Sequence, residues 1–374
     1  MGDEMIFDIS DRKFKRILCQ NKFYLPIRWD GDDFVYTLNT LYDDYLTSIK
    51  RELKDAEEQE LIDQDIASIH TVCKKIVESA EEYLNGFPAQ AFHTFSSAMQ
   101  TLIREPLLIY QKSVYDQFQA DVYSNNDPLV LYRSARVYEN KPYSRRRAFH
   151  TPFNLRSKVS TSRFSIAGYP SLYLSTSLEL CCQEIHVNPF LDLVLASAFQ
   201  LDRSYERSNI NIRVIELAVK PQDFLERYSE TGDRSRILPR DILESQKTLN
   251  AYLLWYPLIA ACSFIRVNKV DPFAAEYIIP QLLMQWVRHE TICDHHTLMG
   301  IRYFSCASVR ASELGFNYVF PTSGTPCSQR DPFCSVLASS FRLTEPVYIH
   351  EYNSIQACER ELARQQFDYL LEMK

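Results

Sequence analysis

Residues 160–187 read "STSRFSIAGYPSLYLSTSLELCCQEIHV", a loop, a strand and a helix in quick succession. Gly168 and Pro170 break the chain, and "SLYLS" alternates apolar and small polar residues as a half-buried strand does. Thr176 or Ser177 can then cap the helix begun by "LELCCQEI". Such a turn–strand–helix unit implies a mixed αβ core. It also carries three polar residues that a core unit does not need. Arg163, Tyr173 and Glu184 are spaced by 10 and then 11 residues.

Upstream, the texture is helical. "FVYTLNTLYDDYLTSIKREL" (34–53) places Phe34, Leu38, Leu41, Tyr42 and Leu46 at three- and four-residue spacing. "DIASIHTVCKKIVESAEEYLNG" (65–86) repeats the pattern with Ile69, Val72, Cys73, Ile76 and Val77, and Gly86 is a natural stop. "PAQAFHTFSSAMQTLIRE" (88–105) opens with Pro88 in its first turn. His70 and His93 fall within these helices and read as helix-interface residues.

Near Asn125-Asn126-Asp127-Pro128 the texture changes. "LVLYRSARVY", "SLYLST", "LVLASAFQL", "NIRVIELAV" and "FNYVFP" are rich in the β-branched and aromatic residues of strands. Helical patterns lie among them at "TSLELCCQEIHV", "AAEYIIPQLLMQWVRHE" and "IQACERELARQQFDYLLEM". The expected organisation is a helical domain over residues 1–125 and an α+β domain over 126–374.

Composition narrows the function. The chain has 374 residues, 46% hydrophobic and 24% charged, the mix of a globular protein. Its net charge of −7 argues against a protein whose main business is sequence-independent binding of phosphate backbones. "YSRRRAF" (143–149), the one dense basic cluster, reads as a solvated loop. The longest apolar run, "AYLLWYPLIAACSFI" (251–265), is shorter than the roughly 18 residues of a membrane span. With no signal-peptide pattern and ten cysteines without framework spacing, a cytoplasmic protein with reduced thiols is expected. Cys293, His295 and His296, with Cys327 and Cys334, do not follow zinc-ligand spacing, so no metal is expected.

The common catalytic signatures are missing: no phosphate loop, no G-x-G-x-x-G turn, no G-x-S-x-G elbow and no H-E-x-x-H helix. What stands in their place is an ordered set of blocks. Arg133 lies in "LYRSAR", Arg163 in "SRF", Tyr173 and Glu184 in "GYPSLYLSTSLELCCQE". "EYIIPQLLMQWV", "GIRYFS" with Tyr303 and Ser305, and "GFNYVF" follow. Over residues 130–320 this order resembles the RES-domain family, named for its Arg, Glu and Ser. It departs from the usual family pattern at Ser162, at Phe164-Ser165-Ile166 and in the "CCQE" run.

The resemblance implies an ADP-ribosyltransferase-like fold and an enzyme that consumes NAD as substrate, with no cofactor. The implied reaction is hydrolysis or phosphorolysis of the nicotinamide–ribose bond, and the implied role is growth arrest, as a toxin or anti-phage effector. Glu184, Arg163 and Ser305 match the catalytic positions, and Arg133 and Tyr173 match NAD-binding ones. The residue types suit the chemistry. A carboxylate stabilises the oxocarbenium-like ribose, and guanidinium forks pair with pyrophosphate oxygens. A tyrosine can stack and hydrogen-bond, and a serine with no adjacent base hydrogen-bonds rather than attacks. The same chemistry serves an ADP-ribosyltransferase acting on a protein, and a non-catalytic nucleotide-binding module is the third reading. A homodimer, and an antitoxin or regulatory partner acting through the helical domain, complete the expectation.

Overall fold

The computed structural model describes residues 11–53, 59–103, 130–201, 211–221, 247–268, 270–293 and 297–370. In chain order its helices are α1 (Asp11–Leu18), α2 (Phe34–Leu53), α3 (Gln59–Leu84), α4 (Pro88–Leu102), α5 (Arg145–Ala148), α6 (Leu178–Glu184), α7 (Lys247–Ala261), α8 (Ile278–Cys293), α9 (Ser335–Ser340) and α10 (Ile355–Arg364). The strands are β1 (Leu131–Arg136), β2 (Ser171–Ser175), β3 (Val194–Leu201), β4 (Asn211–Leu217), β5 (Thr297–Phe304) and β6 (Phe316–Pro321), then β7 (Pro326–Ser328), β8 (Asp331–Cys334), β9 (Phe341–Leu343), β10 (Val347–Tyr348) and β11 (Asp368–Tyr369). The fold is α+β. Two compact units share the chain: Met1–Tyr110 with Val219–Trp286, and Gln111–Ala218 with Val287–Lys374. Composition placed the change of texture near 125, which lies outside the described residues; the first unit also takes in Val219–Trp286 from farther along the chain.

In the first unit, the expected helices form with the expected faces inward. Phe34, Leu38, Tyr42, Ile69, Cys73 and Ile76 are all buried within the chain. These side chains therefore need no second copy to cover them, and the dimer expectation loses that support. Gly86, at φ 87°, ends α3 in the left-handed region that favours glycine. α7 is the helix that periodicity could not mark: Ala251–Ala261 is buried on every side. Pro257 inside it has no N–H, so the Leu253 carbonyl one turn back loses its helical donor. The Tyr45 hydroxyl of α2 donates to that carbonyl at 2.7 Å, and Tyr42 donates to the Pro257 carbonyl at 2.7 Å. Ile27 pairs with Phe264, and Trp29 Nε1 donates to the Ile265 carbonyl at 3.0 Å, tying the first segment of this unit to the segment after α7. Among the described residues no helix is long and apolar enough to cross a membrane.

The second unit is built on one mixed sheet in the order β11-β9-β3-β1-β2-β6-β5-β4, with β10 paired to β3. Only β4 and β5 run parallel among the described pairs. α6 and α10 cover one patch of the sheet through Tyr132, Leu178, Ala196, Ala198 and Leu362. Cys181, Cys182 and Cys358 lie in that same cluster, and burial pushes each thiol up to about 12. They remain protonated and serve as apolar packing.

Two local expectations change. The basic run 143–149 is not a solvated loop. Arg145 pairs with Asp368 at 2.7 Å and Glu345 at 3.2 Å, and Arg146 grips Asp331 with two bonds of 2.9 and 3.2 Å. Carboxylates from three distant segments hold the charges of Arg145 and Arg146, and Arg147 donates to the Arg136 carbonyl at 3.2 Å. The C-terminal helix stops at Arg364, because Gln365 is extended and Asp368–Tyr369 pairs with Arg342 and Leu343. Long-range pairing overrides the local helical pattern there.

Candidate active site

The strand–helix unit at 171–184 sets the site. β2 ends at Ser175, and Ser177 rather than Thr176 caps α6, accepting from Leu180 N at 3.3 Å. Glu359 of α10 accepts from Leu178 N at 2.6 Å, so the first turn of α6 is held twice. Thr176 instead accepts from Phe316 N at 2.9 Å, at the start of β6. Gly315, at φ 136°, is required beside it, because a Cβ there would collide with Thr176 Oγ1. These contacts fix the outlet of β2 and carry Glu184 to the last position of α6.

Across the sheet, Ser175 pairs with Asn317 and Asn317 with Tyr303. Paired residues share a face, so these three form one row over β2, β6 and β5. The row is polar; Ser175 and Asn317 are buried, at 5% and 2% exposed, and Tyr303 is half-buried. Ser175 Oγ bonds Asn317 Oδ1, and Asn317 Nδ2 donates to Glu184 Oε1 at 2.7 Å. Thus the α6 carboxylate reaches down to the row.

Tyr173, two residues before Ser175, lies on the same face. Its hydroxyl donates to the Phe164 carbonyl and meets Ser162 Oγ at 2.6 Å. With the phenol proton given to the carbonyl, Ser162 is the donor in the second bond. Ser162 N donates to Ser165 Oγ at 2.9 Å, and that hydroxyl returns to the Ser162 carbonyl at 2.8 Å. Arg163 is held within this tight turn and is 9% exposed. The ring of Phe164 packs on that of Tyr303, with centroids 4.6 Å apart.

Tyr303 is the common neighbour. Burial raises its phenol well above the ordinary value; Glu184 and then Tyr173 add to the rise, and Arg163 opposes it. Tyr303 shares its row with Asn317, the donor to Glu184, and its ring meets that of Phe164, which follows Arg163 and whose carbonyl accepts from Tyr173. Arg133 joins from β1, donating through Nη1 to the Tyr173 carbonyl at 3.1 Å. β1 and β2 are paired only at Tyr132 and Ser175, so this guanidinium links two strands whose ladder is otherwise open. Burial lowers the Arg133 pKa, and Arg147 nearby works in the same direction. No ion pair among the described residues includes Arg133.

Ser305 is placed differently. It follows the end of β5, is 0% exposed, and accepts from Ala307 N at 3.2 Å. No described hydrogen bond joins it to Arg133, Arg163, Tyr173 or Glu184. Of the cysteine and histidine positions weighed for metal, His295 and His296 lie outside the described residues. Among the described residues no His/Cys/Asp/Glu group could hold a metal ion.

Comparison with known proteins finds one named relative. The chain is similar to "Putative toxin YopC" of Bacillus subtilis (strain 168). Identity is 29% over 344 residues, covering 89% of this chain and 70% of the relative. No protein-family model matches the chain. No solved structure matches it.

Sequence reading missed Asn317, Ser175 and Ser162. The signal for Asn317 was in "FNYVFP": asparagine is depleted from strands, and a buried amide needs partners. Which partners it has depends on residues 133 and 142 positions away, and local spacing cannot show them.

Proposed function

We propose that this chain is an NAD-consuming toxin of RES type, with an ADP-ribosyltransferase-like second unit. The observation that supports this reading best is the hydrogen-bonded gathering of Glu184, Tyr173 and the turn carrying Arg163 about the Ser175–Asn317–Tyr303 row, with Arg133 donating to the Tyr173 carbonyl. The name of the Bacillus subtilis relative supports a toxin role, and the match spans most of both chains.

The reaction breaks the bond between C1′ of the ribose and the nicotinamide nitrogen. The bonding pair leaves with nicotinamide, and an oxygen of water or phosphate forms the new bond to C1′ while its proton passes to solvent. Positive charge builds on the ribose in the transition state, where the Glu184 carboxylate opposes it. Arg133 has no carboxylate partner among the described residues, and its buried Nε–H has no acceptor there. That leaves it suited to a pyrophosphate oxygen. Tyr173 contributes through its ring, since its hydroxyl is committed to Phe164 and Ser162. Ser305 acts by shaping the main chain after β5. Among the described residues Glu184 is in no ion pair, and the hydrogen bond it accepts there, from Asn317, leaves lone pairs available to face a ribose.

Purified full-length protein incubated with NAD, with and without inorganic phosphate, tests the reading. Release of nicotinamide is expected, with ADP-ribose as the second product in water and its 1″-phosphate where phosphate is the acceptor. Intact NAD after prolonged incubation at micromolar enzyme would overturn it.

A further inference from the structure

We infer that Asn317 is a positioning residue for Glu184, and that Ser175 fixes the orientation in which it acts. This rests on the reading of Glu184 as the carboxylate of the site. Glu184 occupies the last position of α6, where the carbonyl end of a helix repels a negative charge. A carboxylate in that place needs a donor from elsewhere, and the donor is Asn317 Nδ2 at 2.7 Å.

The chemistry dictates which way the amide points. An ionised carboxylate only accepts hydrogen bonds, so the NH2 side of Asn317 must face Glu184. Its carbonyl oxygen is then turned to Ser175, whose hydroxyl must donate. Had the amide been reversed, two acceptors would meet at Glu184. Ser175, Asn317 and Tyr303 are consecutive in one row of the sheet. The arrangement is therefore held by strand register rather than by a loop. Both hydrogen-bonding residues are nearly sealed from solvent, at 5% and 2% exposure. Water cannot readily replace a lost partner there.

Glu184 faces a defined set of groups. Tyr303 approaches from β5, and Cys181 stands one turn back on α6. Arg163 and Tyr173 share Tyr303 as a neighbour, and Arg133 acts on Cys181. Asn317 alone of the described residues donates a hydrogen bond to the carboxylate.

Two variants test the role. Asn317→Asp keeps the shape and sets a second carboxylate against Glu184, where both cannot easily ionise. Ser175→Ala leaves the amide in place and removes its lock; Ser175→Thr restores a hydroxyl. The first readout needs no activity: the 13C resonance of the Glu184 carboxyl in full-length protein, assigned by its loss in Glu184→Gln. It should shift in Asn317→Asp relative to the parent at the same pH, because the amide donor at 2.7 Å is gone. In Ser175→Ala it should shift, and Ser175→Thr should bring it back. The second readout is NAD turnover. kcat should fall by about tenfold or more in Asn317→Asp with KM nearly unchanged, as for loss of an interaction realised in the transition state. A Glu184 resonance at the parent's position in both Asn317→Asp and Ser175→Ala would overturn the assignment. A resonance that moves as stated, in a parent that leaves NAD intact, would keep the positioning role and reject the enzyme reading.

Discussion

Asn317 Nδ2 and Glu184 Oε1 are 2.7 Å apart, joining residues 133 positions apart in the chain. This bond connects the two halves of the candidate site: the strand–helix unit that delivers Glu184, and the β5–β6 pair that presents Tyr303. Tyr173 lies on β2 two residues before Ser175, and its hydroxyl holds the turn that carries Arg163. The proposed function depends on this sheet row.

Arg133 should bind the ligand's phosphates. In a Glu184→Gln background, Arg133→Ala is expected to weaken NAD binding by about tenfold or more. Arg133→Lys should recover part of it, because an ammonium cannot reproduce the guanidinium fork. Calorimetric titration decides. Equal affinity in all three proteins would remove Arg133 from the binding site.

His150 gives the second unit a pH-dependent component of stability. It is 0% exposed, its Nε2 accepts from Cys334 N at 2.9 Å, and Nδ1 bonds the Thr151 carbonyl at 2.8 Å. Both nitrogens are satisfied only in the neutral ring, and burial lowers its pKa from 6.5 to about 4. The folded state therefore binds a proton less readily than the unfolded one. The contribution is fully present above about pH 6.5 and is lost as pH falls through about 4. Its full size is on the order of 3 kcal/mol. His150→Gln removes the titration, so the stability gap between parent and variant should narrow from pH 7 to pH 4. A gap that stays constant in thermal melts would contradict the assignment.

Behind the site, Glu216 and Arg302 form a buried pair at 2.9 Å, with Arg302 over the Phe316 ring at 4.3 Å. Glu216, Arg302 and Tyr318 are in register on β4, β5 and β6. Arg302→Met removes the guanidinium that pairs with the buried Glu216 carboxylate at 2.9 Å and should cost about 3–5 kcal/mol. The double variant Arg302→Met, Glu216→Leu should melt above Arg302→Met alone, because both charges of the pair are then removed together. A single variant as stable as the parent would show the pair to be idle.

Much of this architecture was legible in the sequence, for physical reasons that also explain the gaps. α2 and α4 begin where their apolar stripes and Pro88 place them. β1, β2, β3 and β6 coincide closely with the β-branched and aromatic runs. α7 escaped notice because a helix buried on all sides has no polar face, and so no period. The C-terminal pattern extended too far because the pairing of Asp368–Tyr369 with β9 is not a local property. For the site, the five residues singled out lie in one unit, and four of them are linked through Tyr303 or the Tyr173 carbonyl. Asn317 and Ser175 stayed hidden because their meaning lies in strand register, which the spacing of residues along the chain does not express.

In the proposed function the Glu184 carboxylate drives cleavage of NAD. The most direct test is nicotinamide release by full-length parent and Glu184→Gln, measured side by side by chromatography. The amide keeps the size and hydrogen bonding of the side chain and removes its negative charge. NAD turnover by the parent is expected, with a loss of about 10²-fold or more in the variant and the two proteins melting at similar temperatures. NAD turnover by a folded Glu184→Gln protein at the parent's rate, or none by the parent, would contradict it.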